Sequence, residues 1–275
     1  MIPTLKLNNG VEMPQLGFGV FQVPDAETTA AVTTALDAGY RSIDTAAAYQ
    51  NEAGVGKALA SSGLAREELF VTTKLWNADQ GYQETLAAFE RSRGLLGLDF
   101  LDLYLIHWPA PELGKYADSW RALEKLYADG AVRAIGVSNF QPAHLQHLAS
   151  VSPVVPAVNQ IELHPYLQQD AVRAYGNEHG IATEAWSPLA KGGSLLSEAP
   201  ITELAAKYDR TPAQIVLRWH LQLGNVVIPK SVTPARVREN FAVFDFELTA
   251  ADLDAVSGLE RGERTGPDPD TFNAV

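Results

Sequence analysis

Eight short apolar runs, beginning near Leu16, Tyr40, Leu69, Leu101, Val132, Ala157, Ile181 and Val226, alternate with longer segments of helical period. The starts are spaced by roughly 24 to 32 residues until the last, the spacing of repeated strand–helix units. No Ser/Gly-rich linker interrupts the series. The pattern predicts an α/β chain, a closed (β/α)8 barrel of the TIM type, occupying residues 1–275 as a single domain. A doubly wound sheet is the competing architecture, and it would carry Gly-x-Gly-x-x-Gly at its first turn. Here Gly17-Phe18-Gly19 is followed by Val20-Phe21-Gln22, so that fingerprint fails.

Ahead of the first unit, residues 4–14 alternate apolar and polar around Asn8-Asn9-Gly10, which predicts a small hairpin. Asp25 is expected to cap the first helix, which runs to Ala38. Tyr82, Leu86, Phe89 and Leu96 form an apolar stripe on the third helix, and Trp120, Leu123 and Tyr127 form one on the fourth. The segment after the seventh strand divides at Thr211-Pro212-Ala213-Gln214, a capping box with proline at the first helical position. Thr249 is expected to cap a further helix reaching Gly258, and the Gly-, Pro- and Asp-rich stretch from Arg261 to Val275 reads as a loop.

In a barrel the C-terminal ends of the strands converge on one face. Here they end at Asp44, Lys74, His107, Ser138-Asn139, Asn159-Gln160, Trp186-Ser187 and Lys230-Ser231. Each has an ordinary structural explanation by itself: a cap, a solvated lysine, a satisfied histidine. Such groups at seven strand ends are better explained by a shared site. Tyr49 follows Asp44 by five residues and brings a phenol to the same mouth. A phenol has a pKa near 10, and an adjacent cation favours its ionised form. Lys74 is expected to lower the pKa of Tyr49, with Asp44 holding Lys74 and His107 bonding the oxygen that receives charge. The set suits protonation of a carbonyl oxygen as its carbon accepts a nucleophile or hydride.

After the last strand, Thr233-Pro234 starts a helix, so its free N–H groups, Lys230, Ser231 and Arg236 meet at one place. Helix dipole, charge-assisted hydrogen bonds and a guanidinium fork combine there into an anion site. Glu239 and Asn240, one turn on, are placed to hydrogen-bond a base. A phosphate beside base-reading groups points to a nucleotide with an extra phosphate, as in NADP.

Three motifs together resemble the aldo-keto reductase superfamily over essentially the whole chain: Gly39 through Gly56, Arg133 through Phe140, and Ile228 through Asn240. Leu75-Trp76-Asn77, Val158 through Pro165 and Val243 through Phe246 resemble its prokaryotic 2,5-diketo-D-gluconate reductase branch. The resemblance implies NADPH-dependent reduction of aldehydes or ketones, with Asp44, Tyr49, Lys74 and His107 as the catalytic four and Tyr49 as general acid. Ser138, Asn139 and Gln160 fall on the carboxamide-binding positions and Trp186 on the position that stacks against nicotinamide, where much of the family has tyrosine. Ser187 and Leu189 fall at the pyrophosphate. Ala190 stands where relatives often have glycine. Gly19, Val20 and Val232 join Asp44 among the expected cofactor contacts. Phe21, Trp76, Trp108 and Phe272 are expected to wall the substrate pocket together with Tyr49 and His107.

The remaining composition narrows the function classes. With 33 acidic against 21 basic residues the net charge is −12, which argues against nucleic acid or an anionic membrane surface as partner. There is no cysteine, which removes thiolate chemistry and cysteine metal sites, and no metal site is expected. Neither a leader-like N-terminus nor an 18-residue apolar run is present, so the expected protein is cytoplasmic and monomeric, acting on a small-molecule carbonyl. Two other classes fit the residues less well. A nucleotide-sensing regulatory subunit needs Lys230 and Arg236 but no phenolic acid, and a Schiff-base lyase needs an uncharged Lys74, which Asp44 opposes.

Overall fold

A computed structural model describes residues 2–275. The hairpin is formed by β1 (Thr4–Lys6) and β2 (Glu12–Pro14), paired antiparallel through Leu5 and Met13. It plugs the lower end of a ring of parallel strands: β3 (Phe18–Gly19), β4 (Ser42–Asp44), β5 (Phe70–Leu75), β6 (Leu101–Ile106), β7 (Val132–Ser138), β8 (Val158–Glu162), β9 (Ala182–Trp186) and β10 (Val226–Val227). The ring closes where Gly17 donates to the Val227 carbonyl and Val227 to the Gln15 carbonyl. Eight parallel strands with their helices make the expected barrel.

Side-chain alternation sorts each strand into inner and outer residues. Leu103 and Leu105 of β6, Ala134 of β7, Val158 of β8 and Val226 of β10 pack with Phe70 of β5 and with Leu7 and Met13 of the hairpin. Their neighbours Tyr104, Ile106, Ile135, Val137, Ile161 and Val227 face the helices instead. Below, buried Asp102 accepts from Arg66, Arg133 and the Val71 N–H, tying β5 to β6 and to the start of β7.

The outer layer consists of α1 (Asp25–Ala38), α2 (Glu52–Ser61), α3 (Tyr82–Leu96), α4 (Tyr116–Ala128), α5 (Pro142–Val151), α6 (Asp170–His179), α7 (Ala199–Tyr208), α8 (Pro212–Gln222), α9 (Pro234–Phe241) and α10 (Ala250–Ser257). The Thr211–Gln214 and Thr249–Asp252 caps form as the residues dictate. Asp25 does not cap α1: it is the first helical residue, and its carboxylate accepts from the Gly54 N–H of α2. Tyr127 is also on the wrong side of the expected stripe, being exposed while Leu126 turns inward beside Trp120. Gly39 ends α1 at φ +108, where a side chain would strike the Phe241 ring. Among the described residues no helix is long and apolar enough to cross a membrane.

Candidate active site

Above the apolar layer the barrel interior turns polar. Asp44 ends β4, Lys74 is the fifth residue of β5, and both are almost wholly buried. Lys74 Nζ donates to Asp44 Oδ1 at 2.6 Å and to the Thr45 carbonyl at 2.9 Å, and lies 3.4 Å from Tyr49 Oη. The loop carrying Tyr49 is a single tight turn, Ala47–Tyr49, ended by Gln50 at φ +55. Asn51, fully buried, fastens it by donating to the Val20 and Val23 carbonyls and accepting from Thr45 Oγ1.

His107 follows β6 and packs edge-on to the Tyr49 ring at 5.6 Å, with its Nδ1 buried and unpartnered among the described residues. Burial first, then the charge of Lys74, holds its pKa well below 6.5, so the imidazole is neutral. Burial alone would lower the Lys74 pKa, but the Asp44 carboxylate, Tyr49 and the hydrogen bond to Asp44 together raise it. The expectation for Tyr49 needs correction. Lys74 does pull its pKa down, but burial of the phenol is the larger effect, and the net direction is upward from 10.

Gln160 of β8 sits in register with Glu184 of β9, so their side chains turn the same way. Its Nε2 donates to Asp44 Oδ2 and to Glu184 Oε2, each at 2.8 Å. Ser138 Oγ and the Asn139 N–H both donate to the Gln160 carbonyl. Asn139, held at φ +64, donates to the His107 carbonyl and accepts from the Trp186 indole at 2.7 Å. Non-glycine residues at positive φ gather along the loops of this face, at Ala110, Asn139, Ser187 and Ala190, as strained backbone does around functional sites.

The expected pocket walls come together as one aromatic surface. Phe21 lies 5.0 Å from Tyr49, Trp76 lies 5.4 Å from His107, and Trp108 lies 6.4 Å from Trp186. Phe272 closes the surface at 4.5 Å from Trp108. The tail that carries it is pinned along its length. Thr265 donates to Glu162 Oε1 through both N and Oγ1 at 2.6 Å, Gly266 N donates to Glu162 Oε2 at 3.1 Å, and Asn77 donates to the Ala274 carbonyl. A Cβ on Gly266 would come within 2.4 Å of Trp186 Cη2, so only glycine lets the tail lie against the indole.

The expected cofactor residues are dispersed by comparison. Gly19 and Val20 have their N–H groups engaged with the Pro229 and Asp44 carbonyls. Ser187 and half-buried Leu189 lie in the loop after β9, where Ala190, Lys191, Gly192 and Gly193 all take positive φ. The ladder of β10 stops at Val227, short of the expected Lys230-Ser231. Lys230, Val232 and Arg236 are exposed around the start of α9, with Ser231 Oγ accepting from the Thr233 N–H. The Glu239 carboxylate is bonded to Thr211 Oγ1, which leaves buried Asn240 as the freer of the two expected base-reading groups.

Three residues escaped sequence reasoning: Glu184, Glu162 and Asn51. For Glu184 a signal existed, a charge in the middle of a core strand two positions before Trp186 and therefore on the same face.

A barrel of this topology with Asp, Lys, Tyr and His at its mouth defines a class, and comparison with known proteins agrees. The aldo/keto reductase family pattern matches residues 15–261, and the chain belongs to that family, which makes it an NADP(H)-dependent oxidoreductase. Among its relatives, glyoxal reductase of Bacillus subtilis is 55% identical, over 97% of this chain and 96% of its own. Methylglyoxal reductase DkgA of Yersinia pestis is 54% identical, over 100% and 99%. A variant of Gox0644 solved in complex with NADPH superposes with a TM-score of 0.95 at 49% identity, covering 99% of each chain.

Proposed function

We propose that this chain reduces small 2-oxoaldehydes, with NADPH as the reductant and Tyr49 as the general acid. The observation that carries the reading is the line from buried Asp44 and Lys74 to half-buried Tyr49 at the barrel mouth. The names of the glyoxal and methylglyoxal reductase relatives support the substrate class. The aromatic walls, with Phe272 packed against Trp108, suit a small carbonyl compound held against apolar surface.

The residues present fit the cofactor. Lys230 and Arg236 form no ion pair among the described residues, in a chain of net charge −12, and flank the start of α9 with its free N–H groups. They would hold the 2′-phosphate, Trp186 the nicotinamide face, Ser138, Asn139 and Gln160 its carboxamide, and Ser187 and Leu189 the pyrophosphate. When bound, NADPH supplies the hydride.

The chain's own residues handle the proton. Burial keeps the phenol protonated in the resting site, so Tyr49 has a proton to give. As the carbonyl oxygen takes it, phenolate forms 3.4 Å from Lys74 Nζ, whose charge Asp44 anchors in place. Neutral His107, whose Nδ1 has no partner among the described residues, would donate from Nε2 to the same oxygen and orient the carbonyl.

The test is NADPH oxidation with glyoxal, methylglyoxal and bulky aldehydes, run on wild type and Tyr49→Phe. The variant is expected to lose at least about a thousandfold in kcat with NADPH binding unchanged by fluorescence titration. Retained turnover would remove Tyr49 as the acid, and a preference for bulky aldehydes would remove the substrate class.

A further inference from the structure

We propose that Glu184 is a positioning residue of this site: as a neutral acid inside the barrel it fixes the Gln160 amide in one orientation. The inference rests on the reading of Gln160 as a carboxamide-binding group and goes beyond it.

An amide has two N–H donors and one acceptor oxygen. Both donors of Gln160 are taken, one by Asp44 Oδ2 and one by Glu184 Oε2, each at 2.8 Å. The Gln160 oxygen is thereby left to face a ligand as an acceptor, and the NH2 of a carboxamide is a donor that suits it. With Glu184 removed, Asp44 alone would hold the amide and one donor would be free to turn away.

Charge and partners both require Glu184 to be neutral. The charged or titratable groups facing it are Asp44 from β4, Lys74 from β5 and Tyr49 from the loop between them. On its other side β10 offers Val226, its register partner. One cation, Lys74, is already paired with Asp44, so a second carboxylate would stand uncompensated in a buried site. Glu184 Oε1 has no hydrogen-bond partner among the described residues, a position a carboxylate oxygen tolerates worse than a hydroxyl. Burial, then the nearness of Asp44, pushes the acid up to about 8.

Deprotonation therefore places a negative charge beside Asp44 and pulls on the amide and on Lys74 at alkaline pH. Nothing in this step needs a co-reactant. The proton leaves to solvent and returns as the pH falls.

The experiment is the dissociation constant of NADPH from pH 6.5 to 9.5, by fluorescence, for wild type, Glu184→Gln, Glu184→Ala and Gln160→Ala. Wild type is expected to hold NADPH steadily to about pH 8 and then lose affinity severalfold by pH 9.5. Glu184→Gln keeps an acceptor for Gln160 and has no proton to lose, so its affinity matches wild type at pH 7 and stays flat. Glu184→Ala binds several times more weakly at every pH. The proposal is overturned if Glu184→Gln follows the wild-type pH profile, and this comparison stands even if Glu184→Ala does not fold. It is also overturned if Glu184→Ala binds like wild type while Gln160→Ala weakens, with the reading of Gln160 intact. If Gln160→Ala binds like wild type, the reading of Gln160 itself fails and takes the proposal with it.

Discussion

Glu162→Gln tests what holds the tail over the site. The buried carboxylate accepts from Thr265 N and Thr265 Oγ1 on one oxygen and from Gly266 N on the other, with His164 Nε2 also 3.1 Å from the first. An amide has a single acceptor oxygen. Turned to serve Thr265, its NH2 meets the Gly266 N–H, a donor against a donor. A hydrogen bond to a charged acceptor contributes roughly 1.5–3 kcal/mol, and Glu162 is fully buried, so solvent screening takes little from it. The docked tail should become less favoured by roughly 10- to 150-fold. Amide hydrogen exchange reads this directly: Thr265 and Gly266 should exchange faster by that factor, while Leu103 and Val137 in the barrel strands do not change. The substrate KM should rise as Phe272 leaves Trp108. Burial raises the Glu162 pKa, but the bonds from His164 and Thr265 outweigh it and hold it below 4.5. Its contribution to docking is thus present above pH 4.5 and is lost as pH falls through the lower folded value. Wild-type exchange rates at Thr265 and Gly266 in the variant would refute the reasoning. Equal acceleration in the strands would show a global effect instead.

Arg236→Ala should weaken NADPH by roughly 10- to 150-fold, the worth of a charge-assisted contact, and leave NADH nearly unchanged; equal losses by fluorescence titration would show that the 2′-phosphate is not read there. Glu184 has its pKa raised from 4.5 to about 8, so the stability it contributes while protonated is intact below pH 4.5 and is lost progressively up to about pH 8. Glu184→Gln should therefore become more stable relative to wild type by several kcal/mol between those limits, read from urea midpoints against pH; parallel curves would contradict the buried acid. Ala190 sits at φ +48, and Ala190→Gly should relieve about 1 kcal/mol of strain in the loop after β9, raising Tm slightly; a fall in Tm would mean that the loop gains more from the Cβ than it loses.

The strand starts, the hairpin around Gly10 and the caps at Thr211 and Thr249 were legible because each depends on residues a few positions apart. So was the grouping of Asp44, Lys74 and His107, since a parallel barrel carries every strand end to one face. Ala190 stands where the family resemblance often has glycine, and the structure holds it at positive φ. The tertiary structure decided the rest. Gln160 reaches Asp44 across 116 positions of sequence, and Glu162 reaches Thr265 across 103. Glu184 enters the site because its register places it beside Gln160, and Asp25 becomes a partner of α2 because the fold brings the Gly54 N–H to its carboxylate. The direction of the Tyr49 shift also waited on the fold. Sequence supplies the cation that lowers it, but burial is a property of everything packed around the phenol, and at this site it is the larger of the two.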